Sequence, residues 1–426
     1  MKKVLIITYY WPPAGGPGVQ RWLKFVKYLR DFKIEPVVYI PENPDYPLID
    51  KSFLSEIPSD ITILKRKIFE PYFLAKFFSK KETSTISSGI ISEGKNQGFL
   101  QKLLLFIRGN FFIPDARKFW VKPSVKFLSD YISAEGIDTI ITTGPPHSVH
   151  LIGLKLKEKL SVKWFADFRD PWTNIGYHKK LKLTESSEEK HHQLERLVLN
   201  EASHIITTSF STKTEFEAKT KTPITVITNG FDEEYFEQVK PDEKFAISHI
   251  GSLLSGRDPV NLWEVLGCLV RENKNFSQDL QLKLIGTVSE EVVNSIEAAG
   301  LEEHLTVEGY LPHKKALEIQ RRSQVLLLVE INSEETRGII PGKLFEYLAA
   351  HRPILALGPE DWDVKRILTE TGAGNFFNYK ETESLKYRIL EYYELYKKGN
   401  LISNSRNIEK FSRRNLTQKL AELLKE

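Results

Sequence analysis

Three residues in the second half of the chain have the types and spacing to handle a diphosphate. Arg257 stands six positions after Gly251, and Gly251 closes an apolar run at 245–250 that reads as a strand. Glycine at a strand end lets backbone approach a ligand, and an arginine on the next loop offers a fixed fork of donors. Further on, Pro341-Gly342 leads into a helical period where Lys343 and Glu346 lie three apart on one face. Leu344, Phe345 and Leu348 turn the other way, toward a core. Free N–H groups in that helix's first turn suit a phosphate, and a carboxylate one turn deeper can accept two hydrogen bonds from a ribose diol. Each feature also has a plainer reading: many strands end in glycine, and a Lys–Glu pair of this spacing is commonly a surface ion pair worth about 0–1 kcal/mol.

The first half offers a second set. Tyr9–Arg21 reads YYWPPAGGPGVQR, where Gly15 and Gly16 permit a tight loop and Trp11 and Arg21 offer a stacking face and a charge. The glycine spacing does not match a dinucleotide fingerprint. In TTGPPHSVH, Ser148 is expected to cap a helix, which places His147 at a strand end as a site residue and His150 inside the helix as packing. In ADFRDPW, Asp167, Arg169 and Asp170 gather at another strand end. They read either as an internal Arg169–carboxylate network, since buried charges must pair, or as a carboxylate that orients a hydroxyl.

The elements that position these residues alternate. Strands are expected at 3–8, 35–40, 139–143, 162–167, 203–208 and 224–228, with helices at 19–29 and 149–160 between them. The rhythm restarts with strands at 245–250, 282–285, 325–328 and 354–357 and helices at 261–273 and 343–350. Strands separated by helices imply βαβ units and parallel sheets. A length of 426 residues favours more than one domain. The charged, proline-bearing stretch at 231–244 is the expected linker. The predicted fold class is α/β, two Rossmann-like doubly wound domains. Net charge of +4 is too mild to argue for nucleic acid, and a single cysteine, Cys268, excludes a disulfide framework and suits a reducing cytoplasm. The apolar run at 4–7 is too short for a signal peptide, and no run approaches the roughly 18 apolar residues of a membrane span. The stretches 68–81 and 99–113 are aromatic and basic, with a polar, serine-rich segment at 82–97 between them. They read as helices packing on their own sheet or as a surface that lies on a membrane.

GSLLSGR, LKLIG, VEGYLPHKKAL and PGKLFEYLAAHRPILAL together resemble the donor domain of GT-B glycosyltransferases of the large retaining family four, in its bacterial subgroup. ADFRDPW resembles the same subgroup, and TNGFD (228–232) its turn ahead of the linker. The resemblance implies two domains facing a cleft: an acceptor-binding domain at 1–235, a donor-binding domain at 236–404, and a helix at 405–426 that crosses back to the first. It implies that Arg257 and Lys343 meet the donor diphosphate and Glu346 the ribose. Gly251, Ser252, Gly286, Ile340, Pro341 and Gly342 line the nucleotide, Tyr310 and Leu311 border the base, and Gly15 and Gly16 face the phosphates. His147, Asp167, Arg169 and Asp170 fall on the acceptor side. Three positions depart from the pattern. Ser252 stands where relatives often keep an arginine, Gly338 where they keep a glutamate, and Arg169 near where many keep a histidine.

The implied activity is metal-independent, retaining transfer of a sugar from a UDP- or GDP-linked donor, with no other cofactor. The implied acceptor is a glycan or lipid-linked glycan of bacterial surface polysaccharide, met in the cytoplasm or at the inner membrane face. A nucleotide-sugar epimerase on the same architecture and a degenerate sugar-nucleotide-binding protein stay open.

Overall fold

Four apolar residues in a row open the first sheet. Val4, Leu5, Ile6 and Ile7 are all fully buried, because helices cover both faces of a parallel sheet. In this computed structural model residues 1–71, 99–174, 176–179, 181–232 and 239–426 are described. They divide into two units, one comprising Met1–Asn229 with Arg413–Glu426, the other Gly230–Ser412.

The first unit holds β1 (Lys2–Thr8), β2 (Ile34–Pro41), β3 (Thr62–Arg66), β4 (Thr139–Gly144), β5 (Lys163–Phe168), β6 (His204–Thr207) and β7 (Ile224–Val226). They form one sheet in the order β3-β2-β1-β4-β5-β6-β7, parallel throughout. Alternation sends Leu5 and Ile7 to one core and Val4 and Ile6 to the other. The second core also takes Leu416, Leu420 and Leu424 from the helix Arg413–Lys425, which packs against the helix Pro17–Leu29. Each fully buried leucine contributes about 1.5–3 kcal/mol.

The second unit repeats the plan with β8 (Phe245–Ile250), β9 (Leu280–Ile285), β10 (Leu305–Glu308), β11 (Val325–Val329), β12 (Ile354–Gly358) and β13 (Gly374–Asn378). The order is β10-β9-β8-β11-β12-β13, again parallel. In each sheet the order reverses once, between β1 and β4 and between β8 and β11. Open α/β sheets bind ligands outside the carboxyl ends of strands at such a reversal.

Two differences from the sequence-based expectation follow, and one region stays undescribed. The strands β3, β10 and β13, all at sheet edges, were not anticipated, because only part of each is buried. The proposed linker is partly structural: Asp242 is buried and pairs with Lys283 at 2.6 Å and Arg322 at 3.0 Å, so 239–244 belongs to the second unit. Of the aromatic-basic region, 72–98 lies outside the described residues; among those described, no helix is long and apolar enough to cross a membrane.

Candidate functional site

At the reversal point of the second sheet, β8 ends in Gly251 and β9 in Gly286. Both adopt positive φ, +117° and +120°, where a side chain is strained. They stand back to back: a Cβ on Gly286 would come within 2.7 Å of the Gly251 carbonyl oxygen. Over Gly251 lies the Lys343 ammonium, 2.5 Å from where a Cβ would sit. Burial, reinforced by nearby Arg257, pushes this ammonium down to about 8. Its Nζ donates to His249 Nε2 at 3.2 Å. The His249 Nδ1 donates to the Leu327 carbonyl at 3.0 Å, which fixes the tautomer. Burial, with Lys343 beside it, holds this imidazole neutral.

Arg257 is gripped from the other side of the reversal. Glu330, immediately after β11 and 1% exposed, accepts from its Nε at 3.0 Å and from its terminal nitrogen at 3.3 Å. A forked pair of this kind sets the guanidinium's direction as well as its place. Glu346 accepts from Gln320 Nε2 at 3.0 Å and meets His313 Nε2 at 3.1 Å. His313 opens the helix His313–Arg322, so Glu346 is tied to the loop bearing Tyr310, which is 87% exposed, and Leu311. The loop before Lys343 is anchored where Trp362 Nε1 donates to the Ile339 carbonyl at 2.6 Å, alongside Ile340, Pro341 and Gly342. At the start of the helix Lys343–Ala349, two of the first amides are used locally: those of Leu344 and Phe345 bond back to Pro341 and Gly342. A 3₁₀-like entry closes its own first turn. Charge for an anion therefore comes from Lys343 and Arg257.

In the first unit, chain reversal places the loop after β1 beside the loop after β4. Gly15 lies under the segment 48–50, its amide bonded to the Leu48 carbonyl, and Gly16 has φ +104°. Trp11 is 1% exposed, so it anchors the loop rather than offering a stacking face. Arg21 is also buried, and its partner is Asp167 at 3.0 Å. The Asp167 carboxylate further accepts from Trp22 Nε1 and Thr143 Oγ1, both at 2.8 Å. It is fully buried, with three donors on its carboxylate, Arg21 among them. Arg169 donates to the carbonyls of Gly144 and Pro145, and the charges of Asp170 and Asp167 also act on it. A Cβ on Gly18 would collide with its guanidinium, so Gly18 makes room for it. Asp170, half-buried, has its carboxyl pushed up by burial, against the pull of Arg169. His147 is buried flat against Trp172, with ring centres 4.7 Å apart. Ser148 does not cap its helix: its amide and hydroxyl both donate to Asp115 at 2.8 Å. His150 packs on Phe168 and bonds Thr142, as expected of a core residue.

No family model matches this chain, and no curated protein does. Solved structures do. A glycosyltransferase from Rickettsia africae ESF-5 superposes with a TM-score of 0.62 at 13% identity, covering 100% of this chain and 98% of that one. TarM gives 0.61 at 13% identity over 100% and 99%. The lipopolysaccharide outer core galactosyltransferase WaaB, in its apo form, gives 0.58 at 14% identity over 100% of both.

The fold is GT-B.

Within this GT-B chain the structure gathers Gly251, Gly286, Arg257 and Lys343 at one reversal point, with Glu346 on the Lys343 helix. Ser252 adds its carbonyl, 3.4 Å from His249 Nε2. Glu330 and His249 complete the group and were not singled out from sequence. Alternation along FAISHI turns His249 away from its neighbours, and Glu330 is the first charge after an apolar strand; both were signals in plain view. Among described residues no set of three or more His, Cys, Asp or Glu is placed to hold a metal ion.

Proposed function

We propose that the chain is a glycosyltransferase that moves a sugar from a UDP- or GDP-linked donor to a hydroxyl of a glycan or lipid-linked glycan. The supporting observation is Lys343 over the strand-end Gly251, with Arg257 close enough to act on its charge, at the reversal of the second sheet. The second unit is then the donor domain and the first the acceptor domain. Lys343 and Arg257 stabilise the charge that grows on the leaving diphosphate, in a setting where preorganised charge counts for more than in water. Glu330 aims Arg257. Glu346 accepts from the ribose hydroxyls, exchanging its bonds to His313 and Gln320. The anomeric carbon–oxygen bond to the β-phosphate breaks as the acceptor oxygen attacks from the same face, giving retention. The acceptor's proton passes to the departing phosphate oxygen, and no metal takes part. Asp170 is the carboxylate placed to orient the acceptor; Asp167 holds the scaffold. The setting is the cytoplasm, with peripheral contact at the inner membrane face, in surface polysaccharide synthesis.

Thermal shift with nucleoside diphosphates, followed by product analysis with and without acceptor glycans, tests this reading. Ligand at 100 times its Kd stabilises by about 2.7 kcal/mol, and Arg257→Ala or Glu346→Ala removes transfer while the far-UV spectrum is kept. Conversion of the donor's sugar with no acceptor present would instead indicate an epimerase. Binding without any turnover would indicate a degenerate protein.

A further inference from the structure

Apart from the cations of the second unit, the first unit contains a cavity of about 120 Å³. One water needs about 10–15 Å³, so the space admits a small polar group with its solvent. Three histidines line it. His147 is 5% exposed, His178 6% and His191 2%. Neither ring nitrogen of His147 has a hydrogen-bond partner among the described residues, nor has Nε2 of His178 or His191. Buried polar nitrogens without partners are uncommon in folded proteins, and several converging on one space point to a missing ligand.

The surroundings say which kind. His147 faces His150, His191, Arg169 and His178, and each of these disfavours a positive charge on it; burial disfavours it more. Burial likewise pushes His191 down to about 4 and lowers His178. Two arginines, Arg108 and Arg117, also line the space. The carboxylates nearby are occupied. Asp115 holds Ser148, Glu70 holds Arg117, and Glu195 holds Thr173 and Lys219. Among the described lining residues, Arg108, Arg117 and the imidazole N–H groups stand against one carboxylate, Asp115, which is turned to the Ser148 amide and hydroxyl. Each neutral imidazole offers one N–H and one lone pair, while the two guanidinium groups add donors only, so donors outnumber acceptors around the space.

We propose that this cavity binds the phosphate group of a phosphorylated small molecule, either a sugar phosphate or the head of an isoprenyl-phosphate-linked one. That the molecule is the acceptor rests on the transferase reading; that a phosphate binds does not. A dianion entering the cavity raises the proton affinity of the three imidazoles, so binding takes up protons from solution.

Calorimetry on the full chain tests this, in the Lys343→Met background so that the second unit's cations contribute less. The probes are glucose 1-phosphate, glucose and a short-chain isoprenyl phosphate. They are compared in buffers of different ionisation enthalpy, above the phosphate's own second pKa of about 6. Glucose 1-phosphate or the isoprenyl phosphate is expected to bind with proton uptake, and glucose not to bind. Whichever phosphate binds more tightly supports the site and identifies its source. Arg108→Gln and His147→Gln each weaken binding at least about tenfold, with thermal melts showing both variants folded. Equal binding of glucose, no proton uptake, or unchanged affinity in a folded Arg108→Gln would overturn the proposal.

Discussion

The two units end their central strands in opposite chemistry. In the second, charged side chains crowd the reversal point: burial, with Arg257 nearby, holds Lys343 at about 8, and Glu330 and Glu346 face the same space. In the first, the charges nearest the core are cancelled inside it, Arg21 against Asp167, and three imidazoles pushed below their ordinary value line the open space beside Arg108, Arg117 and Asp115. The same βαβ plan thus gathers cations at the strand ends of one unit and cancels charge inside the core of the other. Where charge is stored decides what each unit risks. The first risks stability if its pair is broken; the second risks affinity.

The largest expected effect comes from breaking the first unit's pair. Asp167→Ala leaves Arg21 buried without its carboxylate and destabilises the first unit by about 3–5 kcal/mol. Denaturant unfolding monitored in each unit separately should show only the first transition moving; a shift of the second would erase the contrast. Next is Lys343→Met. It removes one of two crowded cations, so the second unit keeps or gains stability while transfer falls about 100-fold, equivalent to about 2.7 kcal/mol. Nucleotide affinity in the parent declines as pH rises through about 8, where Lys343 loses its proton; Lys343→Arg should flatten that decline. Smallest per group is the acid response. His147, His150, His178 and His191 of the first unit are all held below their ordinary value, mainly by burial, His150 at about 3 and His191 at about 4. The unfolded chain protonates them near 6.5 and the folded chain does not. Their stability contribution is therefore complete above that pH and lost as pH falls from 6.5 toward 4, by up to about 1.4 kcal/mol per pH unit per group. Urea midpoints of the two units at pH 7 and pH 5 should diverge, with the first falling further.

The buried strands were legible in the sequence because both faces are apolar: VLII of β1 and VLLLV of β11 admit few other readings. The edge strands β3 and β10 were not, since TILKR and LTVE expose much of their length and show little of a buried pattern. Arg257, Lys343 and Glu346 could be picked out because each lies close in sequence to a strand end or helix start. Their partners could not. Glu330 is 73 residues from Arg257, and Asp167 is 146 from Arg21. Only the sheet order brings β8 next to β11 and the helix after β1 next to β5. Asp167 shows the same limit: its ion-pair partner is Arg21, not Arg169 two positions away.

The helix Arg413–Lys425 makes the first unit discontinuous. Leu416, Leu420 and Leu424 fill a core whose other walls come from the first 230 residues. During synthesis, all of residues 230–412 must therefore emerge before that core can close. Until then the nascent first unit carries an apolar groove, a surface that invites chaperones or aggregation. A fragment cut after residue 229 would inherit the same groove permanently. To study the first unit alone, the final helix has to be joined back to it through a short linker.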